Sequence, residues 1–283
     1  MMTFKKSKLA ALIIFSLVIS AAIMGCGKAE EKAASDNGGK LEGTVKVAGS
    51  TSVQPLVEEL AQAFMDKNPD VNVSVQGGGS SAGVEAANKA AAQIGTCSRE
   101  IKNEEKSYGL TETVIAHDGI AVVVNSGNQV AQLTKDQVKK IFTGEIKDWS
   151  EAGGKKGPIT VVVREEGSGT RGAFQDIVLG KDGKFIANAV VQNSTGAIKT
   201  AVTKDVNAVG FMSLGSVDSE VKAVKVDGVE PSEASVLDGS YKISRPFLFL
   251  TKGNPEPSTK AFIDFVLSED GQKIVSEKFV KIK

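Results

Sequence analysis

A strand end, a Gly/Ser loop and a helix start meet in Arg164-Glu165-Glu166-Gly167-Ser168-Gly169-Thr170-Arg171-Gly172-Ala173-Phe174. The β-branched run Ile159-Thr160-Val161-Val162-Val163 leads into it and predicts a buried strand. The amphipathic run Ala173 to Leu179 leads out and predicts a helix. Between them lies Gly-Ser-Gly-Thr, where Ser168 or Thr170 would cap the helix and the first-turn N–H groups would stay free. Such a helix start attracts an anion through its donors and its dipole. Arg164, at the strand end, adds a planar fork that binds two oxygens at once. The stretch therefore reads as one jaw of an oxyanion site, with phosphate the favoured anion. Taken alone it is also what a well-capped turn looks like, so repetition decides.

The pattern recurs twice. Thr44-Val45-Lys46-Val47-Ala48 alternates as a strand, Gly49-Ser50-Thr51-Ser52 follows, and Val53 to Lys67 carries Leu56, Val57, Leu60, Ala61 and Phe64 at helical spacing. Pro55 falls in the first turn, where it is tolerated. Val71, Val73 and Val75 then alternate as a strand before Gly77-Gly78-Gly79-Ser80-Ser81-Ala82-Gly83 and an alanine-rich helix, Val84 to Ala92. Three consecutive glycines cost ordering entropy, so they point to a backbone that approaches something closely. None of the three loops continues as Gly-Lys-Ser/Thr, so a nucleotide-binding P-loop is not supported.

The ends carry other information. Lys5, Lys6 and Lys8 precede an apolar run, Leu9 to Ile19, too short for a membrane span. Ile23-Met24-Gly25-Cys26 follows, in the manner of a bacterial lipoprotein signal. Residues 1–25 are expected to be removed and Cys26 to carry lipid, several acyl chains giving a stable anchor. An ordinary secretory signal or an uncleaved anchor is the alternative. Residues 26–42 are small, polar and Lys/Glu-rich, a tether.

Charge is balanced at 34 basic against 34 acidic residues, and loss of Lys5, Lys6 and Lys8 leaves 31 against 34. A nucleic-acid surface would need a basic excess. The cysteines are Cys26 and Cys97, so with Cys26 lipidated no internal disulfide forms, and Cys97 reads as a small buried apolar residue. A single histidine without a Cys/His cluster argues against a metal site.

The rest of the chain alternates strands with helices. Gln93 to Cys97 is a short strand running into Ser98-Arg99-Glu100. Thr111–Ala116 and Gly119–Val124 are one long strand or two short ones, divided at His117-Asp118. Thr134 caps a helix that Gly144 stops. Asn193-Ser194-Thr195-Gly196 precedes a helix near Ala197–Thr203, Ala208–Met212 and Val221–Val226 read as strands, and Tyr241–Leu250 is extended. Ser258 is expected to cap a helix through Leu267, with a last helical stretch from Gly271 to about Phe279. The alternation predicts an α/β protein with mostly parallel sheets and a ligand at the carboxyl ends of the strands.

The order of lipoprotein signal, Gly49-to-Ser52 loop, Gly79-to-Gly83 loop, Gly95-Thr96-Cys97-Ser98-Arg99-Glu100, Asp118-Gly119-Ile120-Ala121-Val122 and Arg164-to-Arg171 resembles the phosphate-binding proteins of high-affinity phosphate ABC transporters, over essentially all of the mature chain. The resemblance implies a two-lobe, type II periplasmic-binding-protein fold with a ligand cleft between lobes. Lobe I would span 43–123 plus 245–283, and lobe II 124–244. It implies a monomer on the outer face of the cell membrane that passes phosphate to membrane permease subunits, with no cofactor and no catalysis. By position it implies phosphate donors at Thr51, Ser52, Ser80, Arg164, Ser168, Gly169 and Thr170, with Ser98 in the loop where better-known members carry an aspartate that accepts the proton of phosphate. Ser98 is neutral but still donates or accepts a hydrogen bond. Asp118 is a replacement acceptor, a partner orienting Arg99 or Arg164, or a turn residue breaking a strand; Arg99 and Arg171 are candidates beside the ligand or behind it.

The neutral Ser98 keeps sulfate or a molybdate-like anion open as the ligand. A serine hydrolase or phosphatase using Ser168 with His117 is a rival of another class, although Gly167-Ser168-Gly169 lacks the Gly-x-Ser-x-Gly elbow. A structural or adhesive lipoprotein is a third, and it leaves the three donor loops without a role.

Overall fold

The computed structural model describes residues 40–282. The targeting segment, Cys26 and most of the expected tether lie outside the described residues.

The first half-domain is built as alternation predicts. β1 (Gly43–Gly49) leads through the Ser50–Val53 turn to α1 (Gln54–Lys67), and β2 (Val71–Gly77) leads to α2 (Ser80–Asn88). β3 (Ile94–Cys97) completes a parallel trio in which β1 pairs with both β2 and β3. α2 starts and stops earlier than its alanine run suggested. Ala90 sits at φ 52°, in the left-handed region, and ends the helix before Ala92.

β4 (Leu110–Asn125) is a single strand across His117-Asp118. Asp118 does not break it, because its backbone pairs with Arg245 on the neighbouring strand. The apolar side chains of β4 change cores along its length. Ile115 and Ala116 pack with Val45, Leu60, Phe64 and Phe249. Ile120, Val122 and Val124 pack with Phe142, Trp149 and Phe211. The strand thus passes from one lobe into the other between Ala116 and Ile120.

The second half-domain contains β5 (Gln132–Leu133), α3 (Lys135–Thr143), β6 (Thr160–Arg164), α4 (Gly169–Phe174), β7 (Val190–Gln192), α5 (Thr195–Lys204) and β8 (Ala208–Ser213). β9 (Val221–Ala223), β10 (Lys225–Val226) and α6 (Glu233–Leu237) follow. Val221–Val226 was expected to be one strand; it divides because β9 pairs with β4 while β10 pairs with β5. Thr134 caps α3 through a reciprocal box with Gln137, and Gly144 ends it at φ 84°. α4 begins at Gly169 and widens into a π-helical turn over Gln175–Leu179.

β11 (Ser244–Lys252) returns to the first half, followed by α7 (Pro257–Leu267) and α8 (Glu269–Val275). Ser258 does not cap α7. Pro257 opens the helix, and the Ser258 hydroxyl donates to the Glu42 carbonyl instead. Ser268 caps α8, so this helix starts and stops ahead of the expected Gly271–Phe279.

One mixed sheet carries both halves in the order β2-β1-β3-β11-β4-β8-β6-β7. Its ends are parallel and its centre, where β11 and β4 pair with β3 and β8, is antiparallel. The class is α/β and two-lobed, and the antiparallel centre is the part that strand–helix alternation could not reveal. β4 and β11 are the strands shared by the two lobes. The carboxyl ends of β1, β2 and β6 face each other across the crevice, and that is where the three Gly/Ser loops emerge.

Candidate functional site

Each loop is held by a different local device. In the first, Val53 precedes α1 without any side-chain cap, so Ser50, Thr51 and Ser52 are released from capping. In the second, Gly79 occupies the cap position at φ 89° and again no side chain caps the helix. In the third, Ser168 does cap: its hydroxyl accepts from the Arg171 N–H at 3.2 Å. Of the two candidates for that cap, Ser168 serves and Thr170 is left free.

Glycine packing places the second loop. A Cβ on Gly83 would lie 2.4 Å from the Thr96 carbonyl oxygen and 2.9 Å from that of Ala48, so α2 rests directly on the backbones of β1 and β3. That seating carries Ser80 over the ends of both strands. The third loop is placed from below. Phe174, at the end of α4, stacks on Phe211 with ring centroids 4.1 Å apart and an interplanar angle of 6°. The contact pins the helix to its lobe by about 1 kcal/mol beyond the area buried.

The hydroxyls converge. Ser50 Oγ donates to Ser98 Oγ at 2.9 Å and lies 3.0 Å from Ser52 Oγ. Ser80 Oγ is 3.2 Å from Ser98 Oγ and accepts from the Ser98 N–H at 3.1 Å. Ser52 Oγ meets Thr170 Oγ1 at 3.3 Å, and Thr51 Oγ1 meets Thr195 Oγ1 at 3.3 Å, so hydroxyls of the two lobes meet at two places around the ring. The Ser81 N–H donates to the Gly167 carbonyl at 3.0 Å beside it. A Cβ on Gly169 would lie 2.2 Å from Ser80 Oγ and 2.6 Å from Ser98 Oγ, so only glycine admits this approach. Ser50, Ser52, Ser80, Ser98, Ser168 and Thr170 are all buried.

Two guanidiniums border the ring. Arg164, 2% exposed, donates to both oxygens of Glu165 at 2.8 and 2.9 Å and to Thr195 Oγ1 at 3.2 Å. Arg245 donates to Ser52 Oγ at 3.2 Å and to the Ser98 carbonyl at 3.1 Å. Its Nε and Nη2 also reach Asp118 Oδ2, at 3.2 and 2.9 Å. Burial pushes the Asp118 carboxyl up, against the opposing pull of Arg245 and of the Ser213 hydroxyl. Burial likewise pushes Cys97 up, which leaves it an apolar filler under the loop.

The other candidates separate. Asp118 orients neither Arg99 nor Arg164; strand register sets it opposite Arg245. Its Oδ1 accepts from the Ser213 hydroxyl and its Oδ2 accepts twice from Arg245. Arg99 turns away to form a two-pronged pair with Glu105, 2.7 Å on each arm. Arg171 donates to the Arg164 carbonyl and lies over the Phe185 ring. Thr51, Ser52, Ser80, Ser98, Arg164, Gly169 and Thr170 come together; Ser168 stands behind them as the cap. Arg245, Ser50 and Thr195 were not among the expected site residues. A hydroxyl in the Gly-Ser-Thr-Ser loop was a visible signal for Ser50. Arg245 had none, since its place depends on pairing between distant strands.

The hydrolase reading loses its base. His117 is exposed, on the face of β4 opposite Asp118, and the Ser168 hydroxyl is occupied as a helix cap. Among the described residues no His/Cys/Asp/Glu cluster could hold a metal ion, and no helix is long and apolar enough to cross a membrane.

Both the sequence and the fold are shared with known proteins. A family model described as a PBP superfamily domain matches residues 34–270. The chain is 35% identical over 283 residues to the phosphate-binding protein PstS of Bacillus subtilis, covering 96% of this chain and 92% of that one. It is similar in structure to a Clostridium perfringens phosphate-transport substrate-binding protein with bound phosphate: TM-score 0.83, 47% identity, 85% of this chain and all of the other. An ABC-type phosphate transport receptor from Vibrio cholerae is also similar, with TM-score 0.71 and 36% identity, over 84% of this chain. On matches of this extent, the chain belongs to the PBP superfamily, within the family of phosphate-binding proteins named PstS.

Proposed function

We propose that this protein captures inorganic phosphate between its two lobes and delivers it to the membrane permease of a phosphate ABC transporter. One observation carries the reading: three loops from different strand–helix junctions bring their hydroxyls into one buried ring that spans the lobes, through Ser52–Thr170 at 3.3 Å, with Arg164 at its edge. Phosphate in that ring would take hydroxyl donors from Thr51, Ser52, Ser80, Ser98 and Thr170, backbone donors at Gly169 and Thr170, and the fork of Arg164. Ser168 would act through the helix start it caps. Closure excludes water and strengthens each of these contacts. The protein binds and releases its ligand without chemistry.

In place of the expected bounds of 43–123 with 245–283 and 124–244, the lobes divide inside β4, between Ala116 and Ile120, and at the start of β11, between Ile243 and Phe247, where the apolar side chains change cores. The mature protein is a monomer, held to the outer face of the cell membrane by lipid on Cys26, with residues 26–42 as tether.

Retention of radiolabelled phosphate by the purified, phosphate-stripped protein tests the proposal. One phosphate per chain, displaced by unlabelled phosphate but not by equal sulfate, supports it. Displacement by both anions alike reassigns the ligand to tetrahedral dianions in general, the alternative that the neutral Ser98 keeps open. Retention of neither anion refutes the binding role.

A further inference from the structure

Arg245 and Asp118 form an ion pair in which each side chain is 1% exposed. Replacing such a pair by apolar residues often costs a fold nothing, so stability alone does not explain one. Its position does suggest a role. Arg245 sits opposite Asp118 in the β4–β11 register, and its outer edge reaches Ser52 and the Ser98 carbonyl, on two of the loops that form the ring. A guanidinium only donates, so Ser52 Oγ must accept from it. The single Ser52 proton is then left for Ser50, Thr170 or a ligand, at 3.0 and 3.3 Å for the first two. Asp118 turns both its oxygens to protein partners, Oδ1 to Ser213 and Oδ2 to Arg245, and none of the ring hydroxyls bonds to it. Arg164 and Arg245 border the hydroxyl cluster at different points, the first through Thr195 and the second through Ser52.

Resting on the reading of the cleft as an oxyanion site, we propose that Arg245 is its second anion-facing guanidinium and that Asp118 is the positioning residue that aims it and offsets its charge. The pair fills one of the two acceptor sites of the Ser52 hydroxyl and turns its proton into the ring, and so contributes to which tetrahedral oxyanion is preferred. Anion choice then depends on the balance of buried charge at Arg245, without a free carboxylate in the ring.

The test titrates phosphate and sulfate separately into the wild-type protein and the variants Arg245→Gln, Arg245→Lys and Asp118→Asn, with thermal melts confirming folding. Arg245→Gln is expected to weaken phosphate about 100-fold or more, and Arg245→Lys, which keeps the charge but not the fork, by about tenfold. Asp118→Asn leaves the guanidinium unbalanced, so the preference for phosphate over sulfate falls about tenfold. A purely structural pair would lower the melts and leave that preference unchanged. A folded Arg245→Gln that binds phosphate within about threefold of wild type overturns the inference. If the variants do not fold, nitrogen NMR of the wild-type Arg245 guanidinium decides: a shift on saturation with phosphate supports the inference and no shift overturns it. A wild-type protein that binds neither anion refutes the cleft reading itself, a failure distinct from the others.

Discussion

Ser98 shows how a single side chain can be central to a site yet ambiguous in sequence. It is fully buried, and its hydroxyl lies at hydrogen-bond distance from Ser50 and Ser80. Ser98→Ala would leave both without that partner, and phosphate binding is expected to weaken about tenfold, measured by titration, with the fold intact. The residue was visible in sequence because it follows a strand end, and so were Arg164, Ser168 and Thr170, which lie within seven positions of one another. Arg245 was not, because its contact with Asp118 joins residues 127 apart. That contact exists only once β4 and β11 pair in register, and no local spacing encodes it. The same register explains Asp118, which looked like a strand breaker and is instead one half of a buried pair.

Among the secondary-structure elements, the helix starts divide labour in a way that capping rules alone would miss. Ser168→Ala removes the cap of α4 and should cost about 1 kcal/mol of stability, read as a lower melting temperature. Gly169→Ala should act differently. Its Cβ would strike Ser80 and Ser98, on the opposite lobe, so closure is blocked while each lobe stays folded. Phosphate affinity is expected to fall about 100-fold with little change in the melt. Gly83→Ala makes the contrast: its Cβ would press into the backbones under α2, and about 2 kcal/mol of stability should be lost. The Gly77-Gly78-Gly79 run did mark a close approach, and part of it is to protein. The Gly79 N–H donates to the Gly49 carbonyl, and a Cβ there would lie 3.1 Å from the Gly167 carbonyl across the cleft. Element boundaries slipped where tertiary contacts intervened. α2 ended early at a left-handed alanine, and Ser258 gave up its capping role to hold Glu42.

Across the whole molecule, two strands carry the relation between the lobes. The apolar pattern of β4 was legible as two runs, and the structure shows why they are one strand feeding two cores. Strand–helix alternation predicted the parallel ends of the sheet. It was silent on the antiparallel centre, because long-range pairing leaves no local period. Near the cleft mouth, the Arg99–Glu105 pair ties the loop after β3 in place. Burial would raise the Glu105 carboxyl, but the Arg99 hydrogen bonds overcome it and hold it below the usual carboxylate range. A depressed carboxyl contributes stability that is complete above its unfolded pKa and is lost as pH falls through its folded one. Glu105→Gln should therefore melt lower than wild type at neutral pH, by about 2 kcal/mol, and the gap should close in acid. Melting curves across that range check the sign.

In the proposed function, hydroxyls from both lobes, together with Arg164, enclose one phosphate. Calorimetric titration of the phosphate-stripped protein with phosphate, and then of a fresh sample with sulfate, tests it most directly. The expected result is a single tight phosphate site per chain, weakened at least tenfold in Thr170→Val, which removes one hydroxyl of the ring and keeps the size of the side chain. Absence of heat with either anion, or phosphate binding that Thr170→Val leaves untouched, would contradict it.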